Sequence, residues 1–203
     1  MQLIMAAASP FARKVRVLIR ETNQLKDVEE VHIETSPFNA NPIASAANPT
    51  ARIPSLTRPD GSALYDSRVI TRYLDARARA GLYPDSNLWD VLALEATGDG
   101  IMDSAVSISY ETRLRSREMV SADWVNAQWV KIMGGCTAIQ DRSMAHLNSS
   151  LNMGQISVAC ALGYLDLRHD ARHWRQGHKL LADWFSGFQE RASMIDTHVK
   201  GQA

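Results

Sequence analysis

Leu3-Ile4-Met5-Ala6-Ala7-Ala8-Ser9-Pro10-Phe11-Ala12-Arg13-Lys14-Val15 is the stretch on which the fold turns. A short apolar run leads into Ser9-Pro10, an N-cap hydroxyl followed by a proline at the first helical position, and that pair is a strong helix-start signal. The order is therefore strand, then helix. In the helix, Val15, Leu18, Ile19 and Thr22 fall at i, i+3, i+4 and i+7 and line a core face, while Arg13, Arg16 and Arg20 predict a solvated opposite side. Val28 to Ile33 is a second β-rich run, and a right-handed crossover makes it parallel to the first.

From Ser36 to Pro54 the chain carries four prolines among small and polar residues and reads as a long loop with at most a short helix. Ser55-Leu56-Thr57, the turn Arg58-Pro59-Asp60-Gly61 and Ala63-Leu64-Tyr65 predict an antiparallel hairpin. Asp66-Ser67 then caps a helix with apolar positions Val69, Ile70, Tyr73 and Leu74. Gly81-Leu82-Tyr83-Pro84-Asp85 stops that helix, and past it strand signals disappear. Trp89 to about Leu114 and Ala122 to about Leu147 have helical spacing, and Asn152 to Leu167 is apolar nearly all round, as a helix at the centre of a bundle must be. The predicted class is α+β in two domains: residues 1–80 as β-α-β-β-β-α, then an all-α bundle over 86–203.

The composition sets bounds. Of 203 residues, 22 are basic and 22 acidic, so no net field favours nucleic acid or an anionic membrane, and an anionic ligand has to be caught locally. The two cysteines, Cys136 and Cys160, make no disulfide framework and fit a reducing, cytoplasmic compartment. Met1 to Ala8 is too short for a signal h-region, and no apolar run is long enough to span a bilayer. His169 and His173 lie at i, i+4, a zinc-compatible spacing, but lack the Glu or Cys partner that such a site requires, so no metal is expected. Arg113, Arg115 and Arg117 read as solvated charges near a helix end.

The β-α-β, loop, β-β-α order followed by helices carries Ser9-Pro10-Phe11-Ala12-Arg13-Lys14-Val15, Arg52-Ile53-Pro54-Ser55-Leu56 and Asp66-Ser67-Arg68-Val69-Ile70 at its element boundaries. In this it resembles the glutathione S-transferase family over the whole chain. The resemblance implies a thioredoxin-like glutathione-binding domain, a helical domain that forms the wall for a small hydrophobic electrophile, and a homodimer. It implies no cofactor beyond glutathione as co-substrate.

Each motif has a physical reading beside the implied one. Ser9 ends a strand and opens a helix, where the helix dipole favours negative charge. The resemblance makes its hydroxyl the donor to the glutathione sulfur. A free thiol has a pKa near roughly 8.5, so lowering it by about two units contributes roughly 2.7 kcal/mol and most of the thiolate at neutral pH. The tetrad Ser9-Pro10-Phe11-Ala12 stands where thioredoxin-like redox proteins keep Cys-x-x-Cys; with both sulfurs missing, the nucleophile belongs to the substrate. Ile53-Pro54 reads by itself as a trans turn proline at a strand start. The resemblance implies instead a cis bond that leaves the Ile53 backbone free for the cysteinyl part of glutathione.

Asp66 and Ser67, with Phe11 and Arg68, complete the implied glutathione site: a carboxylate for the γ-glutamyl ammonium, and a hydroxyl, backbone N–H groups and a guanidinium for its carboxylate. Asp66 stands where the family usually has Glu or Gln. Phe11, Met102, Val106 and Tyr110 are the implied electrophile-pocket residues, although Met or Tyr at helical spacing is also ordinary core. Asn152-x-x-Gln155 resembles the family's capping box with amides at both positions, a folding signal. A glutathione peroxidase or disulfide reductase on the same scaffold, or a non-enzymatic binding protein, is the alternative to conjugation.

Overall fold

The computed structural model describes residues 1–199. They form two compact units, one comprising Met1–Tyr83 with the segment that starts at Ala192, the other Pro84–Arg191.

In the first unit β1 (Gln2–Met5), α1 (Pro10–Glu21) and β2 (Glu29–His32) make the expected crossover, with β1 and β2 parallel from Gln2↔Glu29 to Met5↔His32. The proline-rich loop holds one short helix, α2 (Pro42–Ala47), whose N-cap Asn41 accepts from the Ile43 N–H. The hairpin is β3 (Ser55–Arg58) and β4 (Gly61–Leu64), and the sheet order is β2-β1-β3-β4 with β3 antiparallel to both neighbours. Helix α3 (Ser67–Ala78) packs on α1, and just past the end of α1 Gln24 Nε2 donates to Leu74 O at 3.0 Å.

The arginine side of α1 is not solvated as its spacing suggests. Arg16 Nε and Arg20 Nη1 donate to Glu30 on β2 at 2.9 and 2.6 Å, which lets Arg16 be buried without an unpaired charge. Burial pushes the Glu30 carboxyl up, but hydrogen bonds and charge from Arg20 and Arg16 outweigh it and hold Glu30 below the usual carboxylate range. A depressed carboxylate stabilises the fold fully above its unfolded value of 4.5, and that contribution disappears as pH falls through the lower folded value. Glu30→Gln should therefore be less stable than wild type by about 2 kcal/mol at pH 7 and flatter in its denaturant midpoints below pH 4.5. Parallel acid curves would remove this account.

A boundary read at 86–203 keeps the last segment in the helical domain. The chain instead returns to the first unit through α9 (Ala192–Asp196), which packs on the flank of α1. Side-chain hydrogen bonds from α1, invisible to periodicity, hold it there.

The second unit consists of α4 (Leu88–Leu114), α5 (Ala122–Arg142), α6 (Met144–Leu147), α7 (Met153–His169) and α8 (Lys179–Phe188) with short single-turn connectors. The run expected to Leu147 breaks at Ser143, which caps α5 and precedes α6. Helix α7 is buried along nearly its whole length, as its all-round apolarity predicts. It runs parallel to α4, with Gly154 beside Leu94 and Ser157 beside Gly98, while Tyr164 Oη donates to Ser109 Oγ at 3.1 Å. Ser157 Oγ lies within donating distance of both Glu95 O at 3.1 Å and Asp99 Oδ1 at 2.9 Å.

The capping signal before α7 is half realised. The Gln155 N–H donates to Asn152 Oδ1 at 3.3 Å, the first half of a capping box. The reciprocal half is different. An amide carries donors where a carboxylate has none, and Gln155 Nε2 points at the carbonyls of His146, Ser149 and Ser150 at 3.1, 3.2 and 3.1 Å. Gln155 is buried, so its NH2 needs these loop carbonyls as acceptors in place of water. Gln155→Glu keeps the shape and turns donors into acceptors; it should cost about 3 kcal/mol, more at pH 8 than at pH 5. Equal denaturant midpoints for the two proteins at pH 8 would contradict this role.

Candidate functional site

The register gathers the three motifs at one end of the sheet. Ile4 faces Ser55 and Leu56 faces Leu64, so the exit of β1, the entry of β3 and the exit of β4 lie together. Ser9, Ile53-Pro54 and Asp66-Ser67-Arg68 stand on those connections.

Ser9 is the N-cap of α1, with extended backbone (φ −75°, ψ 121°) and Pro10 as the first helical residue. The Ala12 N–H donates to Ser9 Oγ at 3.2 Å, and the Arg13 N–H donates to Ser9 O at 2.9 Å. Among the described residues the Ser9 hydroxyl accepts but donates to none, so its proton is available to an acceptor placed at the helix terminus. Phe11, in the first turn, is half-buried.

The Ile53-Pro54 peptide bond is cis. The ladder with β1 covers Ser55 to Thr57 and stops short of Ile53, whose backbone lies outside the sheet pairing. Pro54 is buried and Ile53 half-buried.

The Tyr65-Asp66 bond, which has no proline, is also cis. Asp66 caps α3: the Arg68 N–H donates to Asp66 Oδ1 at 3.0 Å, and Arg68 Nη2 reaches Asp66 Oδ2 at 3.2 Å. Both side chains are more than half exposed, so this ion pair contributes little to stability. Ser67 is buried at the first helical position. Sequence reasoning missed Thr71, which is wholly buried and donates to Ser67 O at 2.9 Å while pairing with Tyr83 Oη at 2.8 Å. A threonine four residues after the capping serine, positioned for back-bonding, is the signal that could have found it.

On α4 the pocket candidates separate. Met102 is fully buried and is core, Val106 is half-buried, and Tyr110 is exposed. His169 is buried, with Nε2 2.9 Å from Ala105 O and 3.2 Å from Ser109 Oγ, and burial lowers its pKa. His173 is exposed beyond the helix at φ 53°, so the pair shares no helical face. Among the described residues no group of three or more His, Cys, Asp or Glu side chains is placed to hold a metal. Both cysteines are buried, and burial pushes the Cys136 thiol up to about 12. No helix among the described residues is long and apolar enough to cross a membrane.

A thioredoxin-like unit whose strand-to-helix hydroxyl and capping carboxylate share one end of the sheet is followed by an all-helical unit. Residues 8–77 match the family model for the glutathione S-transferase N-terminal domain, and residues 122–186 match that for the C-terminal domain. The chain belongs to the glutathione S-transferase family.

A glutathione transferase family member from Pseudomonas fluorescens Pf-5, solved with bound glutathione, is 40% identical with a TM-score of 0.95, over 98% of each chain. A glutathione S-transferase from Methylobacillus flagellatus KT, solved with glutathione bound, is 35% identical with a TM-score of 0.87, over 98% of this chain and 99% of the other. The uncharacterized GST-like protein YibF of Escherichia coli (strain K12) is 29% identical over 181 residues, 86% of each chain.

Proposed function

We propose that this protein is an enzyme that binds reduced glutathione at the shared end of the first unit's sheet and conjugates its thiolate to a small hydrophobic electrophile. The observation that carries this is the Ser9 hydroxyl, held at the N-terminus of α1 by the Ala12 N–H with its own proton uncommitted among the described residues. Donation of that proton to a sulfur at the positive end of the helix dipole stabilises the thiolate over the thiol. The Ile53 backbone pairs with the cysteinyl part, Pro54 shapes its approach, and Phe11 borders the sulfur. Asp66, Ser67 and Arg68 receive the γ-glutamyl end.

The glutathione bound in the Pseudomonas and Methylobacillus relatives supports the ligand, and a second structure from Pseudomonas fluorescens Pf-5 with S-(propanoic acid)-glutathione supports a thioether as product. Within the first unit, Phe11 is the side chain proposed to meet the electrophile. No metal or redox cofactor enters this reading, and glutathione is consumed as co-substrate. A cytoplasmic homodimer with a detoxifying role completes it; the exposed Trp89 and Val69 are apolar side chains that a second copy would cover.

The test is retention on immobilised glutathione followed by turnover of an aryl halide compared with a hydroperoxide and a mixed disulfide of glutathione. Binding with aryl-halide turnover in excess is expected. Faster peroxide or disulfide turnover would reassign the reaction, and failure to bind would overturn the reading.

A further inference from the structure

If Ser9 holds the thiolate, as proposed above, whatever fixes the first turn of α1 bears on the chemistry. Arg13 lies there, and its N–H closes the intrahelical hydrogen bond to Ser9 O at 2.9 Å. The first turn of α1 has no acidic residue, and a cation near the positive end of a helix dipole is disfavoured, so α1 alone does not favour Arg13 in this place.

The guanidinium is satisfied from far along the chain. Arg13 Nε donates to Thr197 Oγ1 at 3.3 Å and Nη2 donates to Met194 O at 3.0 Å. Thr197 is wholly buried and donates to Ser193 O at 2.7 Å; Ser193, also buried, donates to Glu21. Asp196 Oδ2 lies 3.8 Å from Arg20 Nε, an ion-pair distance too long for a hydrogen bond. Ser193 to Thr197 therefore engages both the first and the last turn of α1.

We infer that Arg13 is a positioning residue for Ser9, and that Ser193 to Thr197 is the strap through which it acts. Arg13 is tied to Ser9 through the backbone of the turn that Ser9 caps and to the strap through its guanidinium. The strap thereby sets the direction in which the Ser9 hydroxyl is presented.

The test titrates the thiol of bound glutathione by its ultraviolet thiolate absorbance, and follows kcat/KM against pH, in Arg13→Gln, Arg13→Lys, Thr197→Val and the Arg13→Gln/Thr197→Val double variant, with Ser9→Ala alongside. Arg13→Gln should raise the thiol pKa by about half a unit to one unit, a three- to tenfold loss of thiolate, with the same loss in kcat/KM at pH 6.5 that closes by pH 9. Thr197→Val should shift in the same direction by less, the double variant no further than Arg13→Gln alone, and Arg13→Lys should recover part of the loss. Should Arg13→Gln fail to fold, Thr197→Val, which loses one hydroxyl and keeps its volume, carries the test. Titrations of the Arg13 and Thr197 variants that overlay wild type while Ser9→Ala shifts would overturn the strap and leave the Ser9 reading in place. If Ser9→Ala also overlays wild type, the reading beneath it fails.

Discussion

Replacing Ser9 with alanine should raise the pKa of the bound glutathione thiol by about two units and lower kcat/KM near pH 6.5 by about 100-fold. The substitution removes two things of different size. The acceptor for the Ala12 N–H caps α1, and losing it costs about 1 kcal/mol of stability, so the variant still folds. In the proposed mechanism the hydroxyl proton is the donor to the sulfur, and its loss should appear in the thiol titration. The deficit is full below the wild-type thiol pKa, shrinks through the window between the two values and vanishes above the variant's value, where both thiols are ionised. Superimposable titrations would remove Ser9 from the mechanism.

Gly98→Ala should destabilise the helical unit by about 3 kcal/mol, although alanine is the better helix former by roughly 1 kcal/mol. A β-carbon at Gly98 would stand 2.6 Å from Ser157 Oγ, 2.9 Å from the Ser157 carbonyl carbon and 3.0 Å from the Val158 nitrogen. The hydroxyl can rotate away, but the α7 backbone cannot move without shifting a buried helix. Gly100, two residues along the same helix, meets nothing within 4 Å, and Gly100→Ala should stabilise by about 0.5 to 1 kcal/mol. The contrast in thermal midpoints separates packing from propensity; two stabilising substitutions would show that α4 and α7 do not approach this closely.

Much of the fold was legible because its signals are local. Ser9-Pro10 starts α1 where the N-cap pattern predicts, and the β-rich run near Val28 pairs in parallel with the first strand. The apolarity of Asn152 to Leu167 locates the central helix. The three motif segments were legible as element boundaries, and strand register is what puts them at one end of the sheet.

What escaped depends on partners distant in sequence. Arginine at helical spacing looks solvated until Glu30 on a neighbouring strand is placed beside it, and Met102 cannot be told from a pocket residue until its neighbours enclose it. Gln155 looked like the reciprocal half of a capping box because spacing does not say whether its amide will donate or accept. Thr197 offers no pattern at all, being one hydroxyl whose meaning comes from Arg13.

The discontinuity of the first unit also bears on how the protein is made. A ribosome delivers β1 through α3 early, but residues that complete the flank of α1 are synthesised only after the whole helical unit. Until Thr197 leaves the exit tunnel, the hydrogen bonds and ion pair between this segment and Arg13, Glu21 and Arg20 cannot form, so a unit translated before the helical one is completed only after it.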